Sequence, residues 1–234
     1  MKDSPTTASS FNAGAVNPVS CSDNSGSCST GFVRPARVEH APRIGEIHAR
    51  GLRSALGRSL AGDGEAIDPH LADEIAATID SSTIASQWHA TLSTLHDQPE
   101  GAAILVATED DPAHVVGFTA CLPTSLPPDV TAVVAAHSDT ALGANTAPTE
   151  ALMMTALDVD EAHTHRGHGS RLLAAVSDMA RADHRRIIAT WILAGDTARI
   201  RFFSSAGFGP AGASRTMIVA GQRVVEHLWW CEMP

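Results

Sequence analysis

Apolar side chains recur at helical spacing early in the chain. Ile44, Ile47, Leu52 and Leu56 fall on one stripe, which predicts a helix over 41–60. The segment GFVRPA before it, residues 31–36, reads as a short strand. Asp68-Pro69 has the form of an N-cap followed by Pro at the first helical position. The helix it opens carries Leu71, Ile75 and Ile79, and another runs through Trp88, Leu92 and Leu95. AILVAT (103–108) and VVGFTAC (115–121) flank Glu109-Asp110-Asp111-Pro112, the pattern of a hairpin. Residues 123–148 hold four prolines and many small residues, which predicts a long loop with a short element at 130–135. Loops of that length in a compact domain are functional or mobile. Residues 1–30 are rich in Ser, Asn, Gly and Thr and are expected to be a disordered tail, with one domain over 31–234.

The second half alternates more regularly. EALMMTALDV (150–159) is ambiguous, because its Ala, Leu and Met content favours helix. Leu172, Leu173, Val176, Met179 and Ala180 then form a helical stripe starting just after Gly169. RIIATWIL (186–193) reads as a buried strand. Residues 196–206 read as a helix with Ile200 and Phe203 on one face and Gly207 just past its end. Two strand-like runs, 216–219 and 223–231, close the chain around Ala220-Gly221-Gln222.

Composition narrows the function classes. With 44% hydrophobic and 18% charged residues, the 234-residue chain can bury a sizeable core. No apolar run approaches the roughly 18 residues of a transmembrane helix. MKDSPTTASSFNAG at the N-terminus has no apolar h-region, so no secretory signal is expected. Cys21, Cys28, Cys121 and Cys231 form no CxxC pair, which makes a reducing cytoplasm the expected compartment. A net charge of −10 argues against a nucleic-acid binder.

Charge is also segregated. Residues 61–165 hold seventeen acids and no Lys or Arg, whereas 166–234 hold nine Arg against five acids. An acidic middle serves solubility. It also suits a division of labour, with a basic part for an anionic cofactor and an acidic part for a cationic substrate.

The most informative segment is Thr164-His-Arg-Gly-His-Gly169-Ser-Arg-Leu-Leu173. A Gly-x-Gly turn before an amphipathic helix lets the backbone bend sharply and approach a ligand. The helix start offers unpaired N–H groups and a positive dipole end, which suits a pyrophosphate. This segment and its continuation resemble the GNAT N-acetyltransferase superfamily. The family signature, Gln/Arg-x-x-Gly-x-Gly/Ala, corresponds to Thr164-x-x-Gly167-x-Gly169. Leu172-Leu173, RIIATWIL, DTARIRFFSSA and Gly207-Phe208 follow in the family's order, so the resemblance covers about 150–208 and the last two strands.

The resemblance implies an α/β fold, a twisted mixed sheet flanked by helices, with a V-shaped splay that admits acetyl-CoA. It overrules the helix propensity of 150–159 and makes that segment a strand. It places the pyrophosphate on the amides of Gly167, His168, Gly169 and Ser170, with Thr164, His165 and Arg166 beside them. It runs the pantetheine arm along Leu157, Asp158 and Val159. Asp196 stands where the family often has Asn, and is equally a good N-cap.

Two departures bear on catalysis. Thr164 replaces the family's Gln or Arg, and Phe203 stands where many members carry a Tyr that protonates the leaving thiolate. The chain has no tyrosine at all. The Phe203 ring packs on the cofactor or in the core, and Ser204, water or no specific acid serves the thiolate. Glu150, at the mouth of the cofactor strand, is the candidate base for the amine, against the competing reading of an exposed Glu at a strand start. His163, His165 and His168 give H-x-H-x-x-H, a second reading as a zinc hydrolase, but Gly167 stands where a metallo-β-lactamase motif needs Asp.

The function expected is acetyl transfer from acetyl-CoA to a primary amine by direct attack, without a metal. The acidic block points to a cationic acceptor such as a small amine, polyamine, aminoglycoside or peptide amine. A non-catalytic acyl-CoA sensor of the same fold is the alternative. Neither nucleic acid nor membrane is expected as a partner, and a homodimer is left open.

Overall fold

A computed structural model describes residues 31–61, 67–109, 111–126, 128–137 and 150–233. The expected tail at 1–30, with Cys21 and Cys28, lies outside them. Seven strands form one sheet: β1 (Gly31–Pro35), β2 (Ala103–Glu109), β3 (Asp111–Ser125), β4 (Glu150–Val159), β5 (Ile187–Leu193), β6 (Gly209–Val219) and β7 (Gln222–Glu232). The helices are α1 (Ala41–Leu60), α2 (Pro69–Thr78), α3 (Ser81–Ser93), α4 (Pro128–His137), α5 (His168–Ala182) and α6 (Thr197–Ser205). The spatial order of the strands is β1-β2-β3-β4-β5-β7-β6. Among the described strands, β4 and β5 are the only neighbours that pair in parallel. The mixed sheet flanked by helices is the expected architecture.

Side-chain alternation divides the core between the two faces. On β2, Leu105 and Ala107 pack with Leu172 and Val176 of α5, while Ile104 and Val106 pack with Ile44 and Ile47 of α1. Ile44, Ile47, Leu172 and Val176 are almost wholly buried, and each stabilises the fold by about 1.5–3 kcal/mol. The helix α1 starts and ends where its apolar stripe predicts. The Asp68 carboxylate accepts from the backbone N–H of His70 and Leu71, as an N-cap does. Among the described residues no helix is long and apolar enough to cross a membrane.

EALMMTALDV is the expected strand: its helix propensity loses to sheet pairing, because β4 is laddered to β3 from Ser125↔Glu150 to Gly117↔Val159. Two other sequence expectations change. The expected loop over 123–148 is shorter: β3 continues to Ser125, and the short element is the helix α4. Val130 and Val134, one turn apart on α4, are buried against Ile187, Ala211 and Leu228. The strand β6 begins at Gly209, earlier than expected, because its first residues pair with Trp230 and Trp229 of β7.

The parallel pairing of β4 and β5 is short. It runs from Ala151↔Ile187 to Met154↔Thr190 and then stops, while β5 stays paired with β7 to Leu193↔Glu226. The two strands therefore splay at their C-terminal ends. On one face α1 spans that opening. Arg43 Nε donates to Val115 O at 3.1 Å on the β3 side, and Arg58 binds Asp196 beyond the end of β5. The backbone of Ser59 packs against Gly195, where a Cβ would come within 2.6 Å of Ser59 Cα.

Candidate active site in the gap between two strands

Strand geometry decides which groups face the gap. Asp160 N–H donates to Val116 O at 2.8 Å, toward β3. Backbone groups alternate sides along a strand, so the N–H and C=O of Leu157 and Val159 face the opening. A cavity of about 680 Å³ follows this edge. Its walls are Leu157, Asp158 and Val159 of β4; Thr164, His165 and Gly167 of the following loop; His168, Gly169 and Ser170 of α5; Arg199, Phe202 and Phe203 of α6; and Arg50, Gly51, Ser54 and Arg58 of α1.

At one end lies the start of α5. Gly167 is its N-cap at φ 79°, a left-handed conformation that costs an L side chain about 1–2 kcal/mol. No side chain caps the helix, so the first-turn amides are left to solvent or a ligand. This 15-residue helix also directs its positive dipole end into the cavity mouth. His165 adopts φ 60°, and Thr164 Oγ1 donates to Glu161 O at 3.0 Å, so the loop is tightly turned before the helix.

A carboxylate far away in sequence holds this loop from below. Glu109, at the end of β2 and only 4% exposed, accepts from Arg166 Nη1 on both oxygens, at 3.2 and 3.0 Å. His163 Nε2 and His168 Nε2 lie 3.5 and 3.6 Å from the same carboxylate. Burial, then the charge of Arg171, hold the His168 imidazole below its ordinary value. Arg166 thus serves the loop's footing and does not line the cavity. His163 and His168 flank Glu109, and among the described residues no group of three His, Cys, Asp or Glu side chains is arranged to hold a metal ion.

At the other end an ion network crosses the gap. Arg199 Nη2 of α6 donates to Asp158 Oδ1 of β4 at 2.5 Å. Asp196 caps α6 by accepting from Arg199 N–H at 3.2 Å, and Arg58 of α1 binds its carboxylate through Nε and Nη2. Asp196 is fully buried and structural in its contacts. Burial disfavours the charge on Arg199, but Asp158, Asp196 and Glu226 outweigh it and hold the guanidinium above its ordinary value. Asp158 faces α1, where a Cβ on Gly51 would come within 2.5 Å of its Oδ1. Nearby, Asp160 binds Arg43 and Arg50 and accepts from Ala162 N–H. Burial opposes the charge of Asp160, and these donors still hold its carboxyl below the usual range.

Of the expected site residues, Leu157, Asp158, Val159, Thr164, His165, Gly167, His168, Gly169, Ser170 and Phe203 come together around the cavity. Phe203 is buried, packed edge-to-face on Phe202 and Phe208. Glu150 and Ser204 are not brought there. Glu150 sits at the far end of β4, roughly 23 Å of extended strand from Leu157. It is exposed, accepting from Ser125 Oγ and pairing with Arg185. Ser204 is exposed on the outer side of α6, away from the buried Phe203. Sequence reasoning missed Glu109, Arg199, Arg50 and Arg58. The spacing of Arg50, Ser54 and Arg58 is a readable polar stripe on α1. Nothing local marks Glu109 or Arg199.

Comparisons with known proteins identify the same fold. The fold matches Arabidopsis thaliana NAA60, solved in complex with a bisubstrate analogue (TM-score 0.57, 14% identity, 88% of this chain and 100% of that one). It matches a ribosomal-protein-alanine N-acetyltransferase from Brucella melitensis (TM-score 0.53, 16% identity, 86% and 99%). It also matches yncA from Salmonella typhimurium, solved with its cofactor acetyl-CoA (TM-score 0.51, 16% identity, 87% and 94%). No curated protein sequence matches the chain. The family model for the acetyltransferase (GNAT) family matches residues 71–208, more than half of the chain and all of the gap except its α1 wall. This protein therefore belongs to the GNAT family of acetyltransferases.

Proposed function

We propose that the chain transfers an acetyl group from acetyl-CoA to a primary amine. The observation that carries this reading is the continuity of the cavity. It joins the free backbone edge at Leu157 and Val159 to the uncapped start of α5. The amides of a pantetheine arm pair with such an edge as a strand would, and a pyrophosphate suits such a helix start. The relative from Salmonella typhimurium binds acetyl-CoA, which supports the same cosubstrate here.

The amine attacks the thioester carbonyl directly. The Leu157 N–H faces the gap and polarises that carbonyl as charge develops on its oxygen. No acyl-enzyme is needed, since the thiols of Cys121 and Cys231 are buried and pushed up to about 11. The acceptor enters on the α1 side. There the carboxylates of Asp158 and Asp160 already hold arginines, which weakens the case for a cationic acceptor drawn from the acidic block. The Brucella melitensis relative is named for a protein alanine, so a peptide α-amine belongs in the panel with polyamines and aminoglycosides.

The test is release of free CoA from acetyl-CoA against that amine panel, with the product identified by mass. No release with any amine would refute the reading. Phe203 in place of a proton donor favours one alternative, an acyl-CoA sensor, and tight acetyl-CoA binding without release would establish it.

A further inference from the structure

We propose that the Asp158–Arg199 ion pair carries the charges of the transfer: Asp158 takes the amine proton while Arg199 holds the departing thiolate. This rests on the acetyl-transfer reading above.

The pair is placed for both tasks. Arg199 stands on α6 and Asp158 on β4, and their 2.5 Å bond bridges the gap at the level of the free Leu157 and Val159 amides. Any thioester held by those amides lies against this bridge. Asp158 and Arg199 both line the cavity, with side chains 5% and 25% exposed. Among the other cavity walls, Leu157, Ala198, Phe202 and Phe203 have no side-chain proton to give, Ser54 Oγ accepts from Arg58 Nη1 on α1, and the chain has no tyrosine. Arg199 has five N–H donors. Nη2 serves Asp158 and Nε lies 3.6 Å from Asp196, leaving Nη1 without a partner among the described residues.

The surrounding charges set the balance. Asp196 and Asp158 share Arg199, and Arg58 returns a second positive charge to Asp196, so the four groups are neutral together. His48 of α1 and Glu226 of β7 also act on the pair. The Nδ1 of His48 accepts from Trp88 Nε1 at 3.0 Å, and burial, outweighing the pull of Asp158, keeps the ring below its ordinary value.

The step balances. The amine nitrogen attacks the carbonyl carbon and the C–N bond forms. The C–S bond breaks and its electron pair goes to sulfur. The ammonium proton passes to the Asp158 carboxylate, which releases Arg199 to the new thiolate. Return of that proton to sulfur frees CoA as a thiol and restores the ion pair. Charge moves by exchange of partners within a site that is already organised.

The test reads the thiol of bound CoA, followed by thiolate absorbance during a pH titration. Wild type is expected to hold about tenfold more CoA thiolate than free CoA at the same pH, as a neighbouring arginine does for cysteine thiols. Arg199→Lys keeps most of this gain and Arg199→Gln loses it. The double variant Arg199→Gln/Asp158→Asn leaves one fewer unpaired buried acid and serves if the single variant fails to fold. In turnover, the loss caused by Arg199→Gln shrinks with aryl thioesters, whose thiolates leave easily, and Asp158→Asn lowers kcat more than it raises the KM for acetyl-CoA. CoA bound with an unshifted thiol, or a shift that survives Arg199→Gln, overturns the proposal even where amines are acetylated. A shifted thiol with no amine acetylated overturns the proposed function and upholds the part of Arg199. No CoA binding overturns both.

Discussion

Two glycines on the same helix make a controlled experiment. In α1, a Cβ on Gly51 would sit 2.5 Å from Asp158 Oδ1 and 2.8 Å from its Cγ, whereas a Cβ on Gly57 would meet nothing within 4 Å. Both changes to Ala recover helix propensity, worth about 1 kcal/mol. Gly57→Ala should keep that gain. Gly51→Ala must also move the Asp158 carboxylate, which Arg199 holds in place, or lift α1 from the sheet. Overpacking of this kind costs about 1–3 kcal/mol. The two variants should therefore differ by about 1–3 kcal/mol, with Gly57→Ala the more stable. At about 2–4 °C per kcal/mol for a chain of this size, thermal melting resolves the difference. Urea midpoints at equal m-value give it independently. Gly51→Ala should also lower kcat, because the displaced group is Asp158, while Gly57→Ala leaves kcat alone. Equal stabilisation by both changes would mean that α1 does not press on Asp158, and the placement of the acceptor wall would fall with it.

Gly167→Ala forces a side chain into φ 79° and should cost about 1–2 kcal/mol, raising the KM for acetyl-CoA more than it lowers kcat. An unchanged KM would remove the turn from cosubstrate binding. Glu150→Gln and Ser204→Ala should each leave kcat within about twofold, since neither side chain lines the cavity; a large loss in either would restore it to the mechanism. Cys121 and Cys231, pushed up to about 11, should resist alkylation at neutral pH until the protein unfolds, as read by mass after iodoacetamide. Burial lowers the folded-state values of His48 and His168, so the unfolded chain binds more protons once pH falls through the ordinary histidine value of about 6.5. Stability should then fall as pH drops through that value and level off below the folded values. Replacing His168 by Gln should flatten the slope; an unchanged slope would place the proton elsewhere.

Local pattern made some elements legible and left others hidden. The apolar stripe from Ile44 to Leu56 defined α1 because a packed helix writes its period into one segment. The glycines at 167 and 169 marked the start of α5 because a sharp turn needs them locally. EALMMTALDV was misleading on its own, since its strand conformation comes from pairing with β3 rather than from its residues. Glu109 and Arg199 were invisible for a related reason. Glu109 reaches Arg166 across 57 positions, and Arg199 reaches Asp158 across 41. Each matters only once the sheet has brought distant segments together. Phe203 was readable as a departure from the family pattern, but its packing on Phe202 and Phe208 at the cavity wall needed those rings in place.

The seam between β4 and β5 has a mechanical consequence. Among the described residues, four pairs, Ala151↔Ile187 to Met154↔Thr190, are the only ladder joining the leaf β1–β4 to the leaf β5–β7–β6. A sheet stitched so briefly would hinge at that point if left alone. The helix α1 prevents this by lying across both leaves like a tie rod, anchored at Val115 and Asp160 on one and at Asp196 and Gly195 on the other. The width of the opening is thus fixed by the length and stiffness of α1. A kink placed in that helix would act as an adjustable spacer on the whole site, shifting the one wall that α1 supplies against the two strands.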